Sequence, residues 1–196
     1  MKKRYLMITA LLTLGTMALS AQTFYTVGVG VGYTGQAVSS SGTLDLVSAN
    51  IDITVFTGRN LGLYTQMFFG TNLSATYQGT SQMLPSDGMN YDTDLLFGLG
   101  YLVPIGRTMM LIAGGGVYFG AIFVQSTSYY SSAIEDLAIT VGPGVGVTYA
   151  FRLGGNFFLS TNVMVAYGLF DPMELSTSVS GNGFRVLGGA GIGIAL

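Results

Sequence analysis

This sequence carries very little charge. Aspartate, glutamate, lysine and arginine together make up 8% of its 196 residues, whereas an ordinary soluble domain contains roughly 25%. A surface that faces water needs about a quarter to a third of its residues to be charged. Much of the outer surface is therefore expected to face something other than water, and the mean hydropathy of +0.56 agrees with that expectation.

Cysteine, histidine and tryptophan are absent from the sequence. Without cysteine there is no disulfide framework, no thiolate nucleophile and no acylated cysteine after an export signal. Without histidine the commonest metal ligand and general base is missing, and a serine–histidine pair cannot form. The few basic residues give no nucleic-acid footprint. We therefore expect a protein that is not an enzyme, binds no nucleic acid, and uses no metal or cofactor.

The first 21 residues have the composition of a secretory signal peptide. Basic residues at 2–4 precede an apolar core at 5–19, and small residues at 18–21 suit cleavage. The alternative is an uncleaved anchor, but a spanning helix needs about 20 apolar residues and this core is shorter. The sequence thus predicts a signal peptide at 1–21 and one domain at 22–196. That domain keeps four of the seven basic residues and all nine acidic ones.

Residues 137–151 show the pattern that recurs along the rest of the chain. Every second residue is apolar or aromatic, and the residues between them are small or weakly polar. Because a strand presents successive side chains to opposite faces, this segment has one apolar face and one small face. The same alternation predicts eight strands, the others lying at about 24–33, 45–56, 61–69, 91–103, 109–125, 157–169 and 184–196.

The predicted strands are joined alternately by short turns and longer loops. Turns are expected at 57–60, 104–107 and 152–156, and loops at 35–42, 79–88, 126–132 and 171–183. An even number of strands joined in this way is typical of an all-β fold, a closed antiparallel up-and-down transmembrane β-barrel. A closed sheet pairs every backbone group, as lipid requires. The 175 residues after position 21 suit such a barrel with no second domain.

The charged residues divide between the two kinds of connection. One arginine falls in each predicted turn, namely Arg59, Arg107 and Arg152. Acidic residues fall in or beside the predicted loops, namely Asp87, Glu135, Asp136, Asp171 and Glu174. Short turns face the periplasm in this architecture, so both ends of the barrel domain are expected there and the loops outside the cell.

Two other folds fit the sequence less well. A soluble barrel of lipocalin type would turn its apolar face inward and its charges outward, but this apolar face is too continuous and the charges are too few. A helical membrane protein would rest on the uncharged run at 108–124. Three adjacent glycines at 114–116 disfavour a helix there, and the flanking segments alternate with a period of two.

Four charged residues fall on the small face, which the barrel turns toward its lumen. They are Asp52, Asp92, Asp94 and Arg185. A buried charge is costly unless it is paired, and the strands of Asp94 and Arg185 stand opposite each other in an eight-stranded barrel. We expect Asp92 or Asp94 to meet Arg185, either as a structural salt bridge or as a selectivity element of a narrow channel. An acidic catalytic pair is disfavoured, because solvated acids are normal near a strand end.

Bulky residues on the same face predict a largely filled lumen. Eight strands leave an interior just wide enough for side chains, and glycines there let the strands curve tightly. Alternating glycines such as those at 28–32 match dinucleotide spacing, but no helix follows them. The expected filling residues are Tyr64, Phe68, Leu96, Leu102, Met110, Tyr118, Phe158 and Met164.

Aromatic residues near the strand ends are candidates for interfacial girdles, where rings favour the boundary between hydrocarbon and water. Ordinary packing against lipid explains them equally well. The residues are Tyr25, Tyr33, Tyr91, Tyr101, Tyr149, Phe151, Phe157, Tyr167 and Phe184.

In strand number, connections and face pattern, the chain resembles the small eight-stranded outer-membrane barrels of the OmpA/OmpX type. The resemblance covers residues 22–196 and rests on pattern rather than on a motif. Such barrels usually end in an aromatic residue that the assembly machinery reads, whereas this chain ends in Leu196. No domain after the barrel is expected, so peptidoglycan anchoring is not implied. Pro143 is a second departure, and a β-bulge is expected there.

The resemblance implies an integral protein of the bacterial outer membrane with a structural or surface-interaction, adhesion-like role and a mostly filled lumen. The alternative is a narrow channel for small solutes. The expected partners are outer-membrane lipid, the barrel-assembly machinery, and an extracellular molecule bound through the loops, which are rich in serine, threonine and glycine.

Overall fold

Antiparallel strands account for almost all of the residues that the computed structural model describes. The structure describes residues 22–38, 42–77, 80–83, 90–126, 134–169 and 179–196. The strands are β1 (Gln22–Val38), β2 (Gly42–Gly58), β3 (Leu61–Tyr77), β4 (Thr80–Met83), β5 (Tyr91–Ile105), β6 (Met109–Ser126), β7 (Ile134–Gly154), β8 (Phe157–Gly168) and β9 (Val179–Ala195).

Eight of these strands form one closed barrel. Each long strand pairs antiparallel with the next along the chain, and β1 also pairs with β9, which closes the sheet. The four-residue β4 pairs with the end of β3 and takes no part in the closure. The predicted all-β, closed, up-and-down barrel of eight strands is therefore confirmed.

The strands are staggered by ten residues around the barrel. Following paired residues once around from Phe158 leads back to β8 beside Gly168, where the amide of Leu169 donates to the carbonyl of Val141 at 2.9 Å. The path passes through Gly193, Thr26, Thr54, Gln66, Leu96, Tyr118 and Gly142. Such a stagger requires strands tilted by about 35–45°, so paired residues lie at different levels of the lumen.

Inward and outward side chains alternate along every strand. Phe157 is 61% exposed whereas Phe158 is 5% exposed, and Val29 in the middle of β1 is 70% exposed. The exposed side chains of the barrel wall are mainly valine, leucine, isoleucine, phenylalanine and tyrosine. The outer face is thus apolar, as lipid requires, and the polar residues are turned inward.

The two ends of the barrel differ. One end has three short connections, at 59–60, 106–108 and 155–156, and we call this end the turn side. Gly106 and Gly155 have φ values of 68° and 55° in two of these turns, a conformation that glycine adopts without strain. The opposite end is the loop side.

Several strands are longer than the sequence indicated. Pairing of β1 with β2 runs to Val38 and Gly42, through most of the predicted first loop. The short β4 lies inside the predicted second loop, and β9 begins at Val179 within the predicted fourth loop. Glycine, serine and threonine made these segments read as loops, but a ladder of backbone hydrogen bonds does not need apolar side chains.

One charged residue lies elsewhere than predicted. Arg152 is in β7 rather than in the third turn, whereas Glu135 and Asp136 lie at the start of β7, beside the predicted third loop. Arg59 and Arg107 lie in their turns, as expected. Asp87, Asp171 and Glu174, like the predicted signal peptide at 1–21, lie outside the described residues.

The bulge predicted at Pro143 is wrong. Pairing of β7 with β6 runs without a shift through Val117 and Pro143, while the paired residues toward β8 stop at Gly144 and Ala166. Beyond Pro143 the bond from the amide of Leu169 to the carbonyl of Val141 continues in the same register. The proline therefore leaves a gap of one missing N–H in the pairing with β8, without a bulge. Neighbouring Gly142 has no room for a side chain, because the carbonyl of Tyr167 lies directly over it.

Candidate functional site

Side chains fill the lumen along most of its length. Of the eight bulky residues assigned to the inner face by sequence, seven are buried and Leu102 is half-buried. Sequence analysis missed Phe24, Phe56, Ile112 and Leu187, which are equally buried. Their parity placed them inside too, but two of them sit close to strand ends, where the direction of a side chain is harder to assign.

Aromatic rings close the turn side of the lumen. Phe24 and Phe158 meet edge to face, with ring centroids 5.4 Å apart and planes at 84°. Phe56 and Met110 belong to the same buried cluster. We call the three phenylalanine rings together with Met110 the aromatic plug. The guanidinium of Arg152, at the end of β7, lies 5.5 Å from the ring centroid of Phe158.

Polar side chains form a hydrogen-bonded layer above the plug. The amide of Asn162 donates to Asp52 at 2.5 Å and to the hydroxyl of Thr26 at 3.3 Å. The hydroxyl of Tyr64 donates to Gln66 at 3.0 Å and lies 3.3 Å from that of Thr148. These residues come from five different strands, so the layer ties opposite walls together.

Asp52 packs against a wall that has no side chains. A carbon added at Gly28 would lie 2.5 Å from its Oδ2, and a carbon at Gly189 would collide with the same atom. The glycines of β1 and β9 thus make the space that this carboxylate occupies. Asp52 was predicted to belong to a charge network with Arg185. The structure instead gives it Asn162 as its hydrogen-bond partner, and Arg185 pairs with Asp94.

The charged group of the lumen lies nearer the loop side. Arg185 Nε is 3.4 Å from Asp94 Oδ1, and the two side chains are 1% and 0% exposed. The hydroxyl of Tyr118 donates to the same carboxylate oxygen, and the Tyr118 ring centroid is 5.7 Å from the guanidinium carbon. Arg185 also donates to the hydroxyl of Thr34 at 3.2 Å.

The stagger of the barrel explains this pairing. Asp94 on β5 and Arg185 on β9 are not sequence or sheet neighbours, and their side chains meet across the lumen. The long side chain of Arg185 spans the interior and joins β5 to β1 through Asp94 and Thr34. Because separating two buried charges leaves each of them desolvated and unpaired, the contact fixes the relative position of three strands.

Asp92 is buried near the ion pair, close enough to interact with both of its charges, but it forms no salt bridge itself. It is 2% exposed, and Asp94 is the residue within salt-bridge distance of Arg185 in the described part of the barrel. The four predicted network residues thus divide into the Asp94–Arg185 pair, Asp52 with Asn162, and Asp92 beside Gly70.

The candidate girdle residues all lie on the outer face. Each of the nine side chains is more than a third exposed, and Tyr91 stacks on Phe123 with centroids 5.3 Å apart. Tyr25, Tyr101, Tyr149, Phe151 and Phe157 lie toward the turn side; Tyr33, Tyr91, Tyr167 and Phe184 lie toward the loop side. Whether these two sets mark the boundaries of the membrane stays a prediction.

Among the described residues, no helix is long and apolar enough to cross a membrane, a result that does not bear on crossing by strands. No group of three or more histidine, cysteine, aspartate or glutamate side chains suited to a metal ion is found in the same part of the chain.

Comparison with protein families and with curated proteins finds no match. Solved structures of the same fold are found. The outer membrane protein OprG from Pseudomonas aeruginosa superposes with a TM-score of 0.58 at 12% identity, covering 90% of this chain and 96% of that one. Neisserial surface protein A gives 0.55 at 14% identity, covering 87% and 96%. The outer membrane protein AlkL, determined in lipid bilayers, gives 0.52 at 15% identity, covering 90% of each chain.

These similarities identify the class of fold. The chain has the fold of the small outer-membrane β-barrels, as the sequence predicted. A closed sheet with an apolar outer face is the form in which strands cross a membrane, because no backbone group is left unpaired in lipid.

Proposed function

We propose that this protein is a non-enzymatic barrel of the bacterial outer membrane, with a structural or surface-interaction role and a lumen that does not conduct. The barrel would anchor the chain in lipid and hold the connections of its loop side outside the cell. Residues 1–21 would direct export, and the barrel-assembly machinery would insert the chain.

The aromatic plug is the observation that carries the proposal. Phe24, Phe56, Phe158 and Met110 are all buried in one cluster at the turn side of the lumen. Above them the hydroxyl of Tyr64 bonds to residues of β3 and β7. An eight-stranded barrel has room for side chains or for one small ligand, and here the side chains occupy that room.

The alternative is a narrow channel for small solutes, and one observation favours it. Buried polar atoms without a hydrogen-bond partner of normal geometry occur at several levels of the described lumen. They include atoms of Ser160, Thr54, Gln66, Asn50 and Thr140. Such atoms suit a hydrated path, although the plug lies across its turn-side end.

Conductance in planar lipid bilayers distinguishes the two functions. We expect the refolded wild-type barrel to give no unitary current steps. A variant with Phe24→Ala and Phe158→Ala removes the paired rings from the plug and should conduct measurably more. Leu159→Ala, on the lipid-facing side of the same strand, is the matched control and should remain silent. Regular steps from the wild type would favour the channel.

A further inference from the structure

Asn50, Gly70 and Asp92 lie side by side on the inner face near the loop side. Asn50 of β2 pairs with Gly70 of β3, which pairs in turn with Asp92 of β5. A side-chain carbon at Gly70 would collide with Asn50 Oδ1 and with Asp92 Oδ1. Two oxygens from neighbouring strands therefore converge on the space above this glycine.

These side chains are buried without the partners that burial requires. Asn50 is 5% exposed, and in the described part of the chain neither its amide atoms nor the carboxylate oxygens of Asp92 have a hydrogen bond of normal geometry. The hydroxyl of Ser48 makes a loose hydrogen bond to Asp92. Asn72, which pairs with Ser48, is also buried with both amide atoms unpartnered. A buried polar group that is left unpaired destabilises the folded state.

The charges in this part of the lumen do not balance. Asp92 and Asp94 stand against Arg185, whose Nε and Nη1 are engaged by Asp94 and Thr34, while its Nη2 has no hydrogen-bond partner of normal geometry. One negative charge is left over among the described residues at this level. A second positive charge between Asp92 and Asn50 would neutralise it and would satisfy the converging oxygens.

We propose that the loop side of the lumen binds a calcium ion between Asp92 and Asn50, with Asn72 and Ser48 as further oxygen donors. Oxygen donors alone select hard cations, and calcium accepts irregular sets of carboxylate, amide and hydroxyl oxygens better than magnesium does. A single carboxylate makes a weak site, so we expect a dissociation constant on the order of 10⁻⁴–10⁻³ M. The site departs from the sequence-based expectation of no metal.

The test is the thermal stability of the refolded full-length protein in zwitterionic detergent. The fraction of folded, fast-migrating protein would be followed on gels while calcium chloride is titrated at constant ionic strength. Calcium at about ten times its dissociation constant should favour the folded state about tenfold, which raises the midpoint. Calorimetric titration of calcium into the folded protein would give the binding directly.

Asp92→Asn separates binding from folding. We expect this variant to abolish the calcium response and, because it removes an unpaired buried charge, to be at least as stable as the wild type without calcium. Asn50→Ala should weaken the response. Asp52→Asn removes another buried carboxylate, one that is bonded to Asn162, and should leave the response intact.

Two results would overturn the proposal. An equal response to calcium in wild type and Asp92→Asn would place binding elsewhere. The absence of any response in the wild type would mean that Asp92 is neutralised by a proton, or that the amide of Asn50 is turned to donate to it.

Discussion

Replacing Arg185, the positively charged side chain of the lumen, tests how much the buried ion pair stabilises the barrel. In Arg185→Met the carboxylate of Asp94 keeps the hydroxyl of Tyr118 but loses the charge 3.4 Å away. Breaking a buried ion pair by removing one partner costs about 3–5 kcal/mol. Since both side chains are fully buried, we expect a loss of that size in the free energy of unfolding.

Removing both charges should cost less than removing one. In the double variant Asp94→Asn with Arg185→Met no charge of the pair remains, and an asparagine still accepts a hydrogen bond from Tyr118. We therefore expect the double variant to regain at least half of the loss caused by Arg185→Met alone. The coupling energy from the complete cycle should be about 2 kcal/mol or more.

The measurement is unfolding by urea in detergent or lipid, followed by the gel mobility of folded and unfolded forms. Arg107→Met is the matched control, because Arg107 is exposed in the turn between β5 and β6; it should change stability by no more than about 0.5 kcal/mol. If Arg185→Met does not refold, Arg185→Lys keeps the charge without the planar fork and should lose less. A loss below about 1 kcal/mol in Arg185→Met would refute the reasoning.

Two further predictions each compare the same substitution at two positions. Gly116→Ala places a carbon against the backbone of Phe97 and should lower the free energy of unfolding by about 1–3 kcal/mol. Gly115→Ala makes ordinary contacts at 3.5 Å and should be nearly neutral. Urea unfolding of both variants measures the difference. Val29→Arg puts a charge on the lipid-facing middle of β1 and should cost about 2–4 kcal/mol, against about 0–1 kcal/mol for Leu153→Arg near the turn side. Unfolding from lipid vesicles measures that difference, and equal costs would contradict the assignment of the lipid-facing belt.

The sequence predicts which face each side chain occupies, because that depends on parity alone. The period of two placed Tyr64, Phe68 and Tyr118 inside, and the structure buries all three. The same parity put Asp94 and Arg185 in one lumen. Strand lengths were harder to predict, because segments such as 35–38 continue the backbone ladder after the apolar pattern has stopped.

Parity does not predict the level at which a lumen side chain lies. That level depends on the stagger, which is set by the register of all eight pairings and by the tilt they impose. Asp52, Asp92 and Asp94 are equivalent by parity, yet they meet Asn162, Asn50 and Arg185 respectively. Sequence analysis could not assign those partners, and it passed over both asparagines because neutral amides give no signal of charge.

The two proposals, a closed lumen and a calcium site, concern different levels of the barrel. The aromatic plug closes the turn side, whereas the unbalanced carboxylate of Asp92 and its unpartnered neighbours lie near the loop side, with the Tyr64 and Asn162 hydrogen bonds between them. A cation could therefore reach Asp92 from the loop side without passing the plug. Opening the plug with Phe24→Ala and Phe158→Ala should leave calcium binding unchanged. A barrel that conducts would overturn the proposed function and leave the calcium site standing, while loss of the calcium response in the plug variant would show that the two ends of the lumen are coupled.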